Sequence, residues 1–272
     1  MLKLGVNSVL FKTADFATAA KYIKKSGYDG IGISALKGMG IDHFNTDTWK
    51  QDKNDLKSIA SDNGLEFLSS EIATQDPERL KIAFEGAAEI GIPVLCIGPG
   101  GKMDDEETMK QSFESINKLV EMAAEYKVTL ACKAHVGCAV YNTPTSLKMI
   151  EAISCQGTGQ NPYFGLDMDP SHIHRAGEIP KDALSSVIHA MKHVHIRDCK
   201  GLGPSPGDPE DQACGRGDID LFGYMKAMAD ANYNGPCVLE VIGRDLDIAE
   251  ASIIAAESYG YMNACLKKLG AR

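Results

Sequence analysis

The stretch VTLACKAHVG, Val128–Gly137, shows the pattern that decides the fold of this chain. Apolar residues occupy every second position, which is the period of a β-strand with one packed face. The opposite face ends in Lys133 and His135, and side chains two residues apart in a strand lie next to each other. This strand therefore packs on one side and brings an ammonium group and an imidazole together on the other.

Seven further stretches have the same strand-like character, and helical segments lie between them. The eight predicted strands are LKLGVNS, GIGIS, EFLSSE, VLCIGPG, VTLACKAH, YFGLDMD, HVHIRD and CVLEVIG. One intervening helix is predicted to start at the N-cap Asp76 and to stop at Gly91, and a long last helix is predicted over about residues 247–269. Alternation over the whole chain predicts a parallel sheet with helical crossovers.

Eight strand–helix units fit a closed (β/α)8 TIM barrel, which we predict as one domain over residues 1–272. A doubly wound open sheet is the alternative fold. The glycine-rich segment IGPGGK, residues 97–102, matches neither a dinucleotide-binding fingerprint nor a P-loop, so we interpret it as a turn. The segment KGLGPSPGDPEDQACGRGD, residues 200–218, is predicted to be an irregular loop, which a barrel would place on its catalytic face.

Composition narrows the class of protein. The chain has 272 residues with a net charge of −9, which disfavours nonspecific nucleic-acid binding. It has no apolar run near the ~18 residues of a membrane span, and its N-terminal stretch does not resemble a signal peptide, so a cytoplasmic location away from membranes is expected. The eight cysteines form no C-x-x-C pair, several lie in apolar segments, and they are expected to be structural thiols; they are Cys96, Cys132, Cys138, Cys155, Cys199, Cys214, Cys237 and Cys265.

Ionisable residues share one face of each of the last four strands, near the carboxyl end, while the other face is apolar. They are Lys133 and His135, then Asp167 and Asp169, then His193, His195 and Arg197, and finally Glu240. A single histidine in a strand is usually a hydrogen-bonded core residue, but burying this many charges without a function would be costly. Carboxylates and imidazoles together predict a site for a divalent cation such as Mn²⁺, Co²⁺, Zn²⁺ or Mg²⁺.

Four motifs carry a resemblance to a known family. GLDMDPSHIHR, VHIRD, GRGDIDL and GPCVLEVIG, in this order and at these distances, resemble the xylose-isomerase-like TIM barrels, the superfamily of sugar isomerases and epimerases. The resemblance extends over the whole chain, with the specific motifs in its second half. It implies an enzyme acting on a small carbohydrate through an enediolate, with a divalent metal as cofactor. Such barrels often pair, so a homo-oligomer is possible.

The resemblance also implies roles for individual residues. The D-x-x-H element falls on Asp169, a metal ligand, and on His172, a catalytic residue beside the substrate. The seventh strand supplies His195 as a ligand. The last strand supplies Glu240 as a ligand and an acid or base. Two arginines are expected to bind substrate: Arg197, and Arg216 of the GRGD loop.

The chain departs from the family on the fifth strand, where E-x-H is usual and Lys133-Ala134-His135 stands instead. Three outcomes are open: His135 supplies the fourth ligand, Lys133 replaces a positive charge in a metal-free site, or the metal binds weakly through the remaining ligands and water. Lys133 is also a candidate catalytic residue, either as a base with a lowered pKa or as an anchor for an anion. Glu71, at the end of the third strand, is a candidate replacement carboxylate in the substrate site.

Several functions follow from these alternatives. The main prediction is a metal-dependent isomerase or epimerase of a small sugar, keto-sugar or sugar acid. A lyase or dehydratase acting on a keto-sugar derivative and using Lys133 is the second. A catalytically altered binding subunit is the third. A DNA-repair endonuclease of the same scaffold is disfavoured, because "GDID" offers no partner histidine for a zinc cluster and the chain is acidic.

Overall fold

The eight predicted strands form a closed parallel barrel in the computed structural model, which describes residues 2–40, 42–154 and 161–272. Each strand pairs with its neighbour in chain order, and β8 pairs with β1 to close the barrel. The strands are β1 (Lys3–Asn7), β2 (Gly30–Ser34), β3 (Glu66–Glu71), β4 (Val94–Ile97), β5 (Thr129–Lys133), β6 (Phe164–Asp167), β7 (Met191–Ile196) and β8 (Pro236–Leu239). The (β/α)8 prediction is confirmed, and the open doubly wound sheet is wrong.

Helices connect the strands and cover the barrel. They are α1 (Phe16–Lys25), α2 (Trp49–Asp62), α3 (Pro77–Ile90), α4 (Glu106–Tyr126), α5 (Thr143–Ser154), α6 (Pro170–Arg175), α7 (Pro180–Val187), α8 (Leu221–Asp230) and α9 (Ile248–Lys268), with 3₁₀ turns at Ser8–Phe11 and Ile188–Ala190. The predicted caps of α3 are confirmed: the Asp76 side chain accepts from the Glu78 N–H, and Gly91 ends the helix at φ 92°. No helix in the described ranges is long and apolar enough to cross a membrane.

The predicted strands run past the observed ones at their carboxyl ends. β6 stops at Asp167 rather than at Asp169, and β8 stops at Leu239 rather than at Gly243. The first residue beyond each point still donates to the neighbouring strand, Met168 N–H to the His193 carbonyl and Glu240 N–H to the Ile196 carbonyl. Active sites of such barrels are built at this end of the strands, so the polar side chains gather where the regular strand structure stops.

Glycines on β1 and β2 make room for large side chains inside the barrel. A Cβ atom on Gly5 would lie 2.7 Å from Leu68 Cδ1, and one on Gly32 would lie 2.8 Å from Val238 Cγ1. Leu68 and Val238 therefore fill the interior where these strands carry no side chain, as expected for a packed barrel core.

The cysteines and the two irregular segments agree with the sequence predictions. The seven cysteines in the described ranges are free thiols, five of them buried, whereas Cys155 lies outside the described residues. Gly100 and Gly101 have φ of 67° and 66°, as a turn in the segment IGPGGK requires. Residues 200–218 contain neither helix nor strand.

Candidate active site

Lys133 lies at the centre of the polar group in the barrel mouth. It ends β5 and is 3% exposed, and its Nζ lies 2.5 Å from Glu71 Oε1 and 3.0 Å from Glu240 Oε1. Glu71 ends β3, and Glu240 directly follows β8. Three strands from different parts of the chain thus bring one ammonium group between two carboxylates.

Lys133 is held as a cation by this arrangement. Burial by itself would lower the pKa of the ammonium, but the charges of Glu240 and Glu71 outweigh burial and raise that pKa above its ordinary value. The lowered pKa considered for Lys133 as a base is therefore not found. The lysine instead provides a fixed positive charge.

The two glutamates that bind Lys133 differ in their affinity for protons. Burial and the charge of Glu240 raise the pKa of Glu71 to about 7. For Glu240, burial acts in the same direction, but Lys133 and Arg197 outweigh it and hold the pKa well below its usual range. A pair of carboxyl groups whose pKa values are pushed apart can act as an acid and a base near neutral pH. Asn7 fixes Glu71 by donating from Nδ2 to Oε2 over 2.9 Å.

A second cation, Arg197, lies beside the same carboxylate. Its Nη2 is 2.8 Å from Asp169 Oδ2 and 3.1 Å from Glu240 Oε2, and its Nε donates to Ser171 Oγ over 2.9 Å. Arg197 is 1% exposed. Burial of such a charge is tolerable because it is paired on two sides. Arg197 thus links Asp169 to Glu240 within the predicted site.

His195 is oriented by a buried carboxylate. Asp167 accepts from His195 Nδ1 over 2.5 Å and from the His195 N–H over 2.8 Å, and it also contacts His193 Nδ1 at 3.0 Å. With Nδ1 donating to Asp167, His195 directs Nε2 into the site, 3.9 Å from Glu71 Oε2. Nε2 has no hydrogen-bond partner among the described residues. Burial opposes the imidazolium, but Asp167 outweighs it and raises the pKa of His195.

His135 and His172 form a separate pair of imidazoles, with ring centroids 4.0 Å apart and ring planes tilted by 38°. His135 Nδ1 lies 2.9 Å from the Val136 carbonyl. His172 Nδ1 lies 2.9 Å from Arg175 Nη2, and its Nε2 lies 3.1 Å from Arg197 Nη2. Burial is the main cause that lowers the pKa of His172 well below its usual range, and the positive charge of Arg197 is the second, so this imidazole is neutral. Burial, then Lys133, also lowers the pKa of His135.

A cavity of about 360 Å³ opens beside these groups. Its lining includes the side chains of Glu71, Lys133, His135 and Cys138, together with residues 72–75 and two glycines of the turn after β4. A cleft of this size accepts a small molecule. Glu71 and Lys133 therefore face both the internal charge cluster and the space available to a substrate.

The structure separates Arg216 from the other predicted site residues. Its side chain is 43% exposed and forms a two-pronged ion pair with Glu257 of α9, with Nε 2.7 Å from Glu257 Oε1. The loop that carries it folds around Asp198, which accepts from the Cys199, Gly215 and Ile219 N–H groups. The substrate-binding role expected for Arg216 stays a prediction, because the structure pairs this side chain with Glu257.

Sequence reasoning assigned no role to several residues that hold the site together. Asp167 shares a strand face with Asp169, and His193 shares one with His195. Strand parity therefore placed Asp167 and His193 in the cluster without indicating what they do. Asp167 orients His195, and His193 bridges Asp167 to Ser69 Oγ at 2.9 Å. Asn7 carried no signal, because one asparagine at a strand end is common in any sequence.

Two groups of side chains in the described part of the chain have the geometry to hold a metal ion. Glu71, His195 and Glu240 form one. The other is formed by Cys96, Asp167, His193 and His195, but hydrogen bonds between Asp167 and the two histidines already account for that arrangement. Neither group includes His135 or Asp169. His135 packs on His172, and Asp169 is paired with Arg197.

Comparison with known proteins assigns the family. The model of the xylose isomerase-like TIM barrel family matches residues 20–265, so the chain belongs to this family. Inosose dehydratase from Clostridium perfringens is 28% identical over 156 residues, which is 50% of this chain and 48% of that protein. A putative L-ribulose-5-phosphate 3-epimerase, SgbU, from Escherichia coli is 26% identical over 138 residues, 50% of this chain and 46% of that one. The matches span about half the length of these curated relatives.

Solved structures share the fold at low sequence identity. The IOLI protein, described with a binding zinc atom, superposes with a TM-score of 0.79 at 18% identity over 98% of this chain and 99% of that one. A D-tagatose 3-epimerase-like protein gives 0.76 at 16% identity, over 99% and 98% of the two chains. A probable 3-DHS dehydratase, AsbF, from Bacillus anthracis gives 0.75 at 15% identity, over 96% and 99%.

The Glu71–His195–Glu240 group is the candidate site for a divalent metal in this chain, without identifying the ion. The unpartnered Nε2 of His195 suits such an ion. The position of Lys133 does not, because its Nζ is bound to both glutamates of the group. With Lys133 in place, the side chains do not fit a metal ion.

Proposed function

We propose that this protein is an isomerase or epimerase of a small sugar, keto-sugar or sugar acid that moves a proton next to a carbonyl through an enediolate. The observation that carries the proposal is the Glu71–Lys133–Glu240 array. It joins two carboxyl groups with oppositely shifted pKa values to a fixed cation, and Glu71 and Lys133 line the cavity. Epimerases among the relatives support the same reaction class.

The array contains a group for each proton transfer and for the negative charge that forms in the reaction. One ionised glutamate takes the proton from the carbon beside the carbonyl, and the electron pair of that C–H bond moves to the carbonyl oxygen. The ammonium of Lys133 and the guanidinium of Arg197 stabilise the negative charge of the enediolate. The protonated glutamate returns a proton to the same carbon from the other face, or to the neighbouring carbon. No step is routed through a metal, because Lys133 occupies the candidate metal group.

His172 and His135 are proposed to form the wall beside the substrate. His172 is neutral and has both nitrogens within hydrogen-bond distance of arginines, so we assign it to positioning Arg197 rather than to carrying a proton. His135 lines the cavity with its Nδ1 tied to the backbone, which leaves Nε2 as its other hydrogen-bonding atom.

A dehydratase is the second candidate function. Curated relatives are inosose dehydratases, and one structural neighbour is a probable 3-DHS dehydratase. The same enolate would lose its β-hydroxyl group as water, with the protonated Glu71 as the acid. The first half of the reaction is shared with the isomerase, so the two functions differ only in the fate of the enolate.

Proton exchange in deuterium oxide tests both functions. Purified protein is incubated with D-tagatose, D-psicose, inososes and other keto-sugars, and NMR follows loss of the proton next to the carbonyl while mass spectrometry detects loss of water. Exchange without loss of water supports the isomerase or epimerase, and loss of water supports the dehydratase. Glu240→Gln is expected to lower the rate by about 100- to 10,000-fold. If neither change occurs with any keto-sugar, the chain is a binding protein rather than an enzyme of this class.

A further inference from the structure

We propose that Lys133 and Arg197 supply the two positive charges that a divalent metal would bring to this site, and that they keep such an ion out. The inference concerns the resident cations of the site and holds whichever reaction the site performs. It assigns to this chain an internally charged, metal-free centre within a family whose structures include one with a binding zinc atom.

The position of Lys133 is the first argument. Its Nζ lies 2.5 Å from Glu71 Oε1, and 3.0 Å and 3.1 Å from the two oxygens of Glu240. Glu71 and Glu240 provide two of the three atoms of the candidate metal group. An ion bound there would have to occupy the space that the ammonium group fills.

The position of Arg197 is the second argument. Its Nη2 pairs with Asp169 Oδ2 at 2.8 Å and with Glu240 Oε2 at 3.1 Å. Asp169 is the carboxylate that the family motif predicts as a metal ligand. Arg197 is therefore paired with a further carboxylate that a metal ion would need. Glu71, Glu240 and Asp169 are thus each already paired with a lysine or arginine cation.

Charge and burial prevent a metal ion from displacing Lys133 and Arg197. Lys133 and Arg197 are 3% and 1% exposed, so neither can give up its partners without leaving a buried cation unpaired, which is strongly unfavourable. A divalent ion placed beside both would add repulsion in a region of low dielectric constant. Two metal-suited atoms lack a hydrogen-bond partner among the described residues, His195 Nε2 and Asp169 Oδ2, and Asp169 Oδ2 is ion-paired with Arg197. One imidazole nitrogen does not make a metal site.

Manganese binding to the whole chain tests the inference. Mn²⁺ is the probe because carboxylate and imidazole ligands suit it and thiols do not attract it, whereas zinc would also bind the free cysteines. Wild type, Lys133→Glu and Lys133→Met are incubated with Mn²⁺, freed of excess ion by gel filtration and analysed for bound metal by mass spectrometry. Calorimetry then gives the dissociation constants. Lys118→Glu, on the exposed side of α4, is the matched charge-change control.

The expected result is little metal on wild type and on Lys118→Glu, and close to one ion per chain on Lys133→Glu. Binding by Lys133→Glu should be at least about 100-fold tighter than by wild type, because the change removes a cation and adds a ligand. Lys133→Met should bind more tightly than wild type by a smaller factor, since it only removes the cation. Lys133→Met also keeps the test decisive if Lys133→Glu does not fold, which circular dichroism with and without Mn²⁺ will show.

Two outcomes would overturn the inference. One is wild type that retains about one Mn²⁺ per chain through gel filtration. The other is a folded Lys133→Met variant that binds Mn²⁺ no more tightly than wild type. Because no substrate is present, these outcomes are separate from success or failure of the proposed reaction.

Discussion

At the scale of the residue, Lys133 decides what kind of site this barrel carries. A glutamate at this position would add one more negative charge to a group that already contains Glu71, Asp169 and Glu240. The lysine instead neutralises part of that charge and fixes Glu71 and Glu240 on either side of one ammonium group. The chemistry open to the site therefore depends on two carboxyl groups held in different protonation states.

The pKa of Glu71 predicts a pH-dependent effect on stability. The folded state raises this pKa from its ordinary value of 4.5 to about 7 and therefore favours the neutral form. Ionisation of Glu71 then costs the folded state free energy as pH rises from about 4.5 to about 7. Relative to Glu71→Gln, which cannot ionise, wild type should become less stable across this window.

Urea unfolding of both proteins at several pH values measures this difference. Glu66→Gln, an exposed change at the other end of β3, is the control and should show no comparable trend. A difference between wild type and Glu71→Gln that is flat from pH 4.5 to pH 7 would show that Glu71 titrates normally.

At the scale of the element, the carboxyl ends of three strands carry the site, and a long loop follows β7. Lys133 and Glu71 are the last residues of β5 and β3, and Glu240 is the first residue after β8. The loop over residues 200–218 has no regular structure, yet the Asp198 carboxylate ties its beginning to its end through three backbone N–H groups. One buried side chain thereby holds a long irregular loop together at the end of β7.

Replacing Asp198 is expected to loosen this loop. Asp198→Ala leaves the Cys199, Gly215 and Ile219 N–H groups without their acceptor, at a cost of about 1–3 kcal/mol in unfolding free energy. Amide hydrogen exchange over residues 199–219 should accelerate more than exchange in the barrel strands. Asp211→Ala, which removes only the ion pair with Lys200 in the same loop, is the matched control. Equal exchange in both variants would mean that Asp198 does not organise the loop.

At the scale of the whole molecule, the seam between the first and last strands closes the barrel. β1 pairs with β8 over four residues, from Lys3 opposite Pro236 to Val6 opposite Leu239. Arg272 reinforces this region, since its two Nη atoms lie 2.5 Å and 2.9 Å from the oxygens of Asp29, which also accepts from the Leu4 N–H. The end of the described chain is thereby tied to the start of the barrel.

Loss of this clamp should weaken the closed barrel. Arg272→Ala is expected to lower the unfolding free energy by about 1 kcal/mol, because the pair is two-pronged but partly open to solvent. Urea unfolding of Arg272→Ala measures the loss. Lys3→Ala removes an exposed pair with Glu66 near the same seam and should have a smaller effect. An effect of Lys3→Ala as large as that of Arg272→Ala would contradict the role given to the clamp.

Much of the fold and part of the site were open to prediction from sequence. Strand parity placed Lys133, Asp169, His195, Arg197 and Glu240 in one barrel mouth, and the structure brings them together there. Parity could not show that His135 packs on His172 instead of joining this group, because residues beyond the end of a strand follow no fixed period. It also could not give the protonation states, which depend on burial and on neighbours from other strands.

The sequence by itself determined the barrel, since alternation with period two in eight stretches and helical period between them are local properties of the chain. Tertiary structure alone decided the electrostatics of the site. Lys133 meets Glu71 and Glu240 across 62 and 107 residues of sequence. Only closure of the barrel brings them within hydrogen-bonding distance. The physical reason is that local periodicity fixes the direction of a side chain, whereas its charge and partner are set by whatever the fold buries beside it.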